Sequence, residues 1–192
     1  MHLFDHEHVH GLKGKELAFL LAASLLVSGA IILASFILSP AGLFLFSLLL
    51  LTIGLNTIAY LTPWFGRAWI FLALVSIFTL SLDDMGLIGF SKIAVFLLIG
   101  LVFELSFLYL KLHLHSVPLD MIIGSSLAMA ALPLSSAFIL SARLASTFPD
   151  TLKNLILSGF AVGLGASVLV FLLWKEIEHT KPVLRLYFYL RR

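Results

Sequence analysis

One carboxylic acid lies in the middle of a long apolar stretch. Glu104 is the only charged residue between Lys92 and Lys111. An ionisable group inside a membrane-spanning helix costs at least a few kcal/mol and normally faces the interior of the helix bundle. Gly100, one helical turn earlier, would let a neighbouring helix approach the same face. Glu104 is therefore predicted to belong to a substrate or proton site, or else to join two helices as a protonated hydrogen-bonding group.

Other polar residues lie at a comparable depth in neighbouring apolar stretches. If the helices alternate in direction, these residues and Glu104 would form one polar layer in the cytoplasmic half of a bundle. We take Asn56, Ser125 and Ser126 as candidate substrate-binding residues for this reason. The same layer would include Ser24, Ser28, Gly165 and Ser167.

A second candidate site lies at the opposite end of the predicted bundle. Asp83 and Asp84 follow an apolar stretch directly, and Asn154 follows Lys153 near the start of another. Paired acids at a helix end can bind a cation or a cationic ligand. The alternative is an ordinary solvated end of a helix.

The amino-terminal segment is rich in histidine, with His2, His6, His8 and His10 within ten residues. Residues 6–10 match the H-E-x-x-H string, in which two imidazoles bind zinc and the glutamate acts as a base. The segment could therefore belong to a membrane metallohydrolase. It could also bind a divalent metal weakly, or be a solvated tail.

Two stripes of small residues have the four-residue spacing that allows helices to pack closely. Ala18 and Ala22 form one stripe, and Gly159 and Gly163 form the other. Such stripes occur where membrane helices meet, either within a chain or between subunits. Both are candidates for a partner interface, with packing inside the chain as the alternative.

The composition identifies the class of protein. Of 192 residues, 61% are hydrophobic and 11% are charged, against about 45–50% and about 25% in soluble domains. The sequence therefore predicts an all-α, polytopic membrane helix bundle. The absence of cysteine excludes thiolate metal sites and disulfides. A formal net charge of +2 does not indicate a nucleic-acid partner.

Breaks in hydropathy predict six transmembrane helices within a domain covering residues 17–174. The turn Ser39-Pro40-Ala41-Gly42 must separate the first two, because the uncharged run from Leu17 to Gly66 is too long for one span. A His-rich tail, 1–16, precedes the domain, and a basic, aromatic interfacial tail, 175–192, follows it. The predicted helices are 17–38, 42–62, 64–82, 90–111, 119–142 and 151–174.

The distribution of lysine and arginine predicts the orientation. With six spans both termini share one side of the membrane, and that side carries nine of the twelve Lys and Arg residues. Positively charged loops remain in the cytoplasm. Both termini are therefore expected to be cytoplasmic.

The chain resembles the substrate-binding S components of energy-coupling-factor transporters in its six spans, its length and its Ala18/Ala22 motif. The resemblance implies that this face of the first helix meets a transmembrane coupling subunit, which acts with ATPase subunits. It also implies a substrate pocket toward the outer side, for which Glu104, Asp83, Asp84 and Asn154 are the candidates.

Three functions follow as hypotheses. The first is a small-molecule or ion transport component with a polar site among the helices. It would depend on a gradient or a partner for energy, because the chain contains no G-x-x-x-x-G-K-[ST] phosphate-binding loop. The second is a non-catalytic subunit or assembly factor of a membrane complex. The third is the metallohydrolase.

Overall fold

The computed structural model describes residues 12–83, 89–110, 113–114, 117–140 and 149–191, and this part of the chain is almost entirely helical. Seven helices follow one another, with one very short strand pair between the fourth and the fifth. They are α1 (Gly14–Ser35), α2 (Pro40–Leu61), α3 (Arg67–Phe78), α4 (Phe90–Leu110), α5 (Leu119–Leu140), α6 (Pro149–Ile177) and α7 (Lys181–Arg191).

Five of these helices are long and apolar enough to cross a membrane, namely α1, α2, α4, α5 and α6. The predicted third span differs, because α3 has only 12 residues and extends about 18 Å against a hydrocarbon core of about 30 Å. The helical membrane bundle is thus supported, whereas six full spans and cytoplasmic termini remain predictions.

The turn between α1 and α2 lies where the sequence predicts it. Ser39 precedes the first helical residue of α2, and its hydroxyl accepts a hydrogen bond from the Gly42 amide at 3.4 Å. Pro40 occupies the first helical position, where its missing N–H group is not needed. Because the connection is short, α1 and α2 run antiparallel and pack side by side.

The connection between α4 and α5 contains a minimal antiparallel strand pair. Strand β1 (His113–Leu114) pairs with β2 (Val117–Pro118). Downstream, α5 runs through Pro133 as one continuous helix. The last predicted span extends further than expected, since α6 continues to Ile177.

Helix α2 lies at the centre of the packing. It contacts α1, α3, α5 and α6, and eleven of its 22 residues are buried. The buried core contains large apolar side chains from several helices, among them Leu20, Leu51, Phe71, Phe96 and Met129. Large apolar residues such as Phe36, Ile37 and Phe138 are more than 80% exposed, as expected for surface that faces lipid rather than water.

The close packing of α5 against α6 depends on two glycines of α6. A Cβ atom added at Gly159 would lie 2.4 Å from the Met129 carbonyl oxygen of α5, and one at Gly163 would lie 2.8 Å from the Cα atom of Ser126. Both contacts are to backbone, which cannot move aside as a flexible side chain could. The Gly159/Gly163 stripe therefore mediates packing between α5 and α6 within the chain.

Gly163→Ala should lower the free energy of unfolding by about 2 kcal/mol, because the added methyl group must separate two tightly packed backbones. Gly165→Ala, on the same helix, is the matched control. No atom of the described residues lies within 4 Å of a Cβ added there, so this variant should be neutral or slightly stabilising. Unfolding of the purified protein in mixed micelles, followed by circular dichroism, measures both. Equal effects of the two substitutions would contradict the packing role.

Candidate functional site

The carboxylate of Glu104, on α4, lies at the amino-terminal end of α3. It accepts a hydrogen bond from the Trp69 backbone N–H at 3.2 Å, and the backbone amides of Gly66 and Ala68 lie close enough to stabilise its negative charge. The Glu104 side chain is buried. The residue predicted to bind substrate therefore caps a neighbouring helix.

The amides at the start of α3 have no partner inside the helix, and the Glu104 carboxylate faces them. Gly66 takes a left-handed conformation (φ 88°) that begins the helix. The remaining amide, of Arg67, donates to the Trp64 carbonyl at 3.4 Å, and Ile70 makes the first helical hydrogen bond, to Gly66. Glu104 and the Trp64 carbonyl thus pair the Trp69 and Arg67 amides at the start of α3.

The opposite end of α3 is capped from the same neighbouring helix. Lys92 of α4 is fully buried, and its ammonium group donates to the carbonyl oxygens of Thr79 at 2.9 Å and Leu82 at 3.0 Å. The Gly89 amide donates to the Leu80 carbonyl at 3.0 Å. These groups satisfy carbonyls that the end of a helix leaves without amide partners.

We call Glu104 and Lys92 the α3 clamp. They are twelve residues apart on α4, which is about 18 Å and matches the length of the 12-residue helix α3. The anion lies at the positive amino-terminal end of the α3 dipole and the cation at the negative carboxy-terminal end, so both charges are placed favourably. One helix therefore holds both ends of the other.

Gly100 of α4 makes this arrangement possible. A Cβ atom at Gly100 would lie 2.5 Å from Trp69 Cδ1 and 3.2 Å from the Trp69 Cα atom. The Trp69 indole N–H donates to the Leu97 carbonyl of the same helix. The close approach expected from Gly100, one turn before Glu104, is present and brings the carboxylate to the α3 amides.

A buried ion pair joins α1 to the same end of α3. The guanidinium group of Arg67 lies 2.6 Å from a carboxylate oxygen of Glu16, and both side chains are at most 5% exposed. Glu16 also accepts the Lys13 backbone amide at 3.4 Å, in the first turn of α1. Neither residue was predicted as part of a site. Both lie in the first turn of a helix, Glu16 in α1 and Arg67 in α3.

The other predicted polar residues form a separate network centred on Asn56 of α2. Its amide nitrogen donates to the Ser167 hydroxyl of α6 at 3.0 Å and to the Thr52 carbonyl at 2.8 Å. Its amide oxygen accepts from the Ser125 hydroxyl of α5 at 3.1 Å. The expected single polar layer is therefore two sets of contacts, because Glu104 bonds to α3 and Asn56 to α5 and α6.

Most other buried hydroxyl groups donate a hydrogen bond to a carbonyl oxygen of the preceding turn of their own helix. Ser126 bonds to the Ile122 carbonyl and Ser24 to the Leu20 carbonyl, both at 2.7 Å.

Ser28 of α1 and Ser47 of α2 differ from these hydroxyls. Both are buried, and neither has a hydrogen-bond partner among the described residues. Ser28 belongs to the predicted layer. Ser47 was missed because an isolated serine in a leucine-rich helix has no distinguishing pattern.

The candidate residues at the other end of the bundle are exposed. Asp83 follows α3, and Asn154 lies in the second turn of α6, each with an exposed side chain. Asp84 lies outside the described residues. A cation-binding role for these positions remains a prediction.

The predicted metal ligands His2, His6, His8 and His10 also lie outside the described residues. Within the part of the chain that the structure describes, no three His, Cys, Asp or Glu side chains are grouped so that they could hold a metal ion. Metal binding and hydrolysis by the amino-terminal segment remain predictions.

The two small-residue stripes have different environments. Gly159 and Gly163 are buried against α5, whereas Ala18 and Ala22 are exposed on the outer face of α1. Further along α1, a Cβ added at Gly29 would meet no described atom within 4 Å. Of the two predicted partner interfaces, only the α1 face is left uncovered by the residues that the structure describes.

Glu104→Ala should lower the free energy of unfolding by about 2–4 kcal/mol, because it leaves several α3 amides without an acceptor in an apolar environment. Glu104→Gln keeps one acceptor oxygen, so its free energy of unfolding should fall by less than that of Glu104→Ala. Unfolding in mixed micelles measures the difference. If both variants keep wild-type stability, the capping role of Glu104 is wrong.

Comparisons with family models, with curated proteins and with solved structures find no match to this chain.

Proposed function

We propose that this protein is an integral membrane transport component that binds a small polar molecule or ion between α1 and α2. The observation that supports this role is the pair of buried hydroxyls of Ser28 and Ser47, which have no partner among the described residues. Glu104 and Asn56, the other main candidates, already have their hydrogen-bond partners within the protein.

The positions of the two serines support a common site. Ser28 lies seven residues before the end of α1 at Ser35, and Ser47 lies seven residues after the start of α2 at Pro40. In an antiparallel pair these positions are at the same level, about 10 Å from the turn. Because both side chains are buried, they lie within the packed interior at that level.

The energetic argument concerns what such hydroxyls normally do. In a helix without water, a serine or threonine hydroxyl bonds to the preceding turn, as Thr52 does with the Leu48 carbonyl at 2.8 Å. A buried hydroxyl without a partner costs about 1–3 kcal/mol. Two of them at one level leave hydrogen-bonding capacity unused, and in this proposal a transported guest supplies the missing partner. A bound water is the alternative that the experiment must exclude.

A second role, as a subunit of a larger membrane complex, is favoured by α1. Ala18 and Ala22 are exposed, and the same helix is held at its start by the buried Glu16–Arg67 pair. A rigid helix with a small-residue face suits close packing with a partner helix. The resemblance to S components would assign this face to a coupling subunit, and ATPase subunits would then supply the energy.

The double variant Ser28→Ala/Ser47→Ala should lose the guest while the empty protein keeps its stability or gains about 1 kcal/mol, because two unpaired polar groups are removed. Native mass spectrometry of gently purified protein detects the guest, and thermal unfolding measures stability. The control variant Ser125→Ala should still bind the guest, but it should be less stable because it lacks the hydrogen bond to Asn56. Wild-type protein that carries no guest, or a double variant that keeps it, would contradict the proposal.

Ala22→Phe should abolish co-purification of a coupling subunit, because the larger side chain prevents close helix packing. Ala161→Phe, at an exposed alanine of α6, is the matched control and should leave the complex intact. Quantitative mass spectrometry of affinity-purified complexes measures the ratio of subunits. A wild-type protein recovered only as a lone monomer would count against the partner role.

A further inference from the structure

The last helix, α7, is short and basic and follows α6 after a tight turn. In that turn the Thr180 amide donates to the Ile177 carbonyl at 2.9 Å, and the Leu184 amide donates to the Thr180 carbonyl at 3.0 Å. Residues Lys181–Arg191 contain three basic side chains and no acidic one. This composition is typical of helices that lie at a membrane surface.

One face of α7 is covered by the rest of the protein. Leu190 is only 1% exposed, and Val183 and Tyr187 are partly buried. These residues lie three or four positions apart and therefore share one side of the helix. Their burial determines which side chains α7 presents outward.

The outward side of α7 carries two cations and an aromatic ring in line. Lys181, Arg185 and Tyr189 follow one another at four-residue intervals and are all exposed. The Lys15 ammonium of α1 lies 4.5 Å from the centre of the Tyr189 ring, a distance at which a cation is attracted to the aromatic face. This contact adds a third cation, so Lys181, Arg185 and Lys15 form what we call the α7 row.

An apolar ridge runs beside the α7 row. Leu184 and Phe188 are 38% and 58% exposed, and on a helix with 3.6 residues per turn they lie next to Lys181 and Arg185. A free anion would contact only the cations and would leave the apolar ridge exposed. A phospholipid would contact both, because its phosphate would bind the cations and its acyl chains would cover the ridge.

We propose that the α7 row and its ridge bind an anionic phospholipid, with the headgroup phosphate at Arg185, between Lys181 and Lys15, and the acyl chains against Leu184 and Phe188. This inference does not depend on the proposed transport function.

The acidic residues nearest in the sequence do not belong to the row. Glu176 and Glu178 both precede α7, and Glu178 lies 3.4 Å from His179. The α7 helix itself therefore presents only positive charge to a headgroup.

The test uses delipidated full-length protein in detergent, titrated with phosphatidylglycerol or with phosphatidylcholine of the same acyl chains. Native mass spectrometry counts the bound lipids. Phosphatidylglycerol should bind at least about tenfold more tightly. Arg185→Gln should weaken phosphatidylglycerol binding about fivefold, which is the contribution to affinity expected from one cation near a membrane surface. It should leave phosphatidylcholine binding unchanged.

Lys153→Gln is the matched control, since it removes one exposed positive charge from the start of α6 and should not alter binding of either lipid. Equal binding of the two lipids by the wild type, or an Arg185→Gln protein that binds phosphatidylglycerol as tightly as the wild type, would overturn the proposal. So would displacement of phosphatidylglycerol by an equal concentration of inorganic phosphate, which would indicate a site for a free anion.

If the Arg185→Gln protein does not fold, the proposal is tested by how lipid binding to the wild type depends on ionic strength. Phosphatidylglycerol binding to the α7 row should weaken several-fold between low and physiological salt, because exposed charges are screened. Binding that does not change with salt would overturn the proposal.

Discussion

The organisation of this bundle depends on a short helix whose ends must be paired inside the protein. In an apolar environment every backbone amide and carbonyl needs a hydrogen-bond partner. A helix of 12 residues is too short to reach water on both sides of a membrane, so the unpaired groups at its ends need partners inside the protein. Helix α4 supplies both partners, an anion at one end of α3 and a cation at the other. These two buried charges are each placed against a helix end of opposite partial charge.

This constraint changes how the intramembrane charges are interpreted. A carboxylate within a transmembrane helix usually suggests a site for a substrate or proton, yet Glu104 is occupied by backbone amides. The Glu16–Arg67 pair extends the same arrangement, because it connects the start of α1 to the start of α3. Charged residues from three helices thus converge on one helix end, and they stabilise the fold there.

The uncharged polar residues divide into two kinds. Asn56 uses its amide group to join α2, α5 and α6, so its hydrogen-bonding capacity serves helix association. Ser28 and Ser47 are buried to a similar degree but have no partner among the described residues. Since buried polar groups are nearly always paired, the proposal of a guest rests on these two hydroxyls and not on the charged residues. The proposed guest lies between α1 and α2, and the proposed partner packs on the exposed Ala18/Ala22 face of α1.

The amino-acid sequence alone establishes the membrane class, the turn at Ser39–Pro40 and the approximate positions of five long helices, because hydropathy and turn residues act locally along the chain. It also identified Gly100 as a point of close helix approach. Packing between helices sets the short length of α3, the partners of Glu104, and which small-residue stripe is covered. Gly159/Gly163 packs against α5, and Ala18/Ala22 is covered by none of the described residues. These features depend on which helices face each other, and the periodicity of a single helix contains no information about its neighbours.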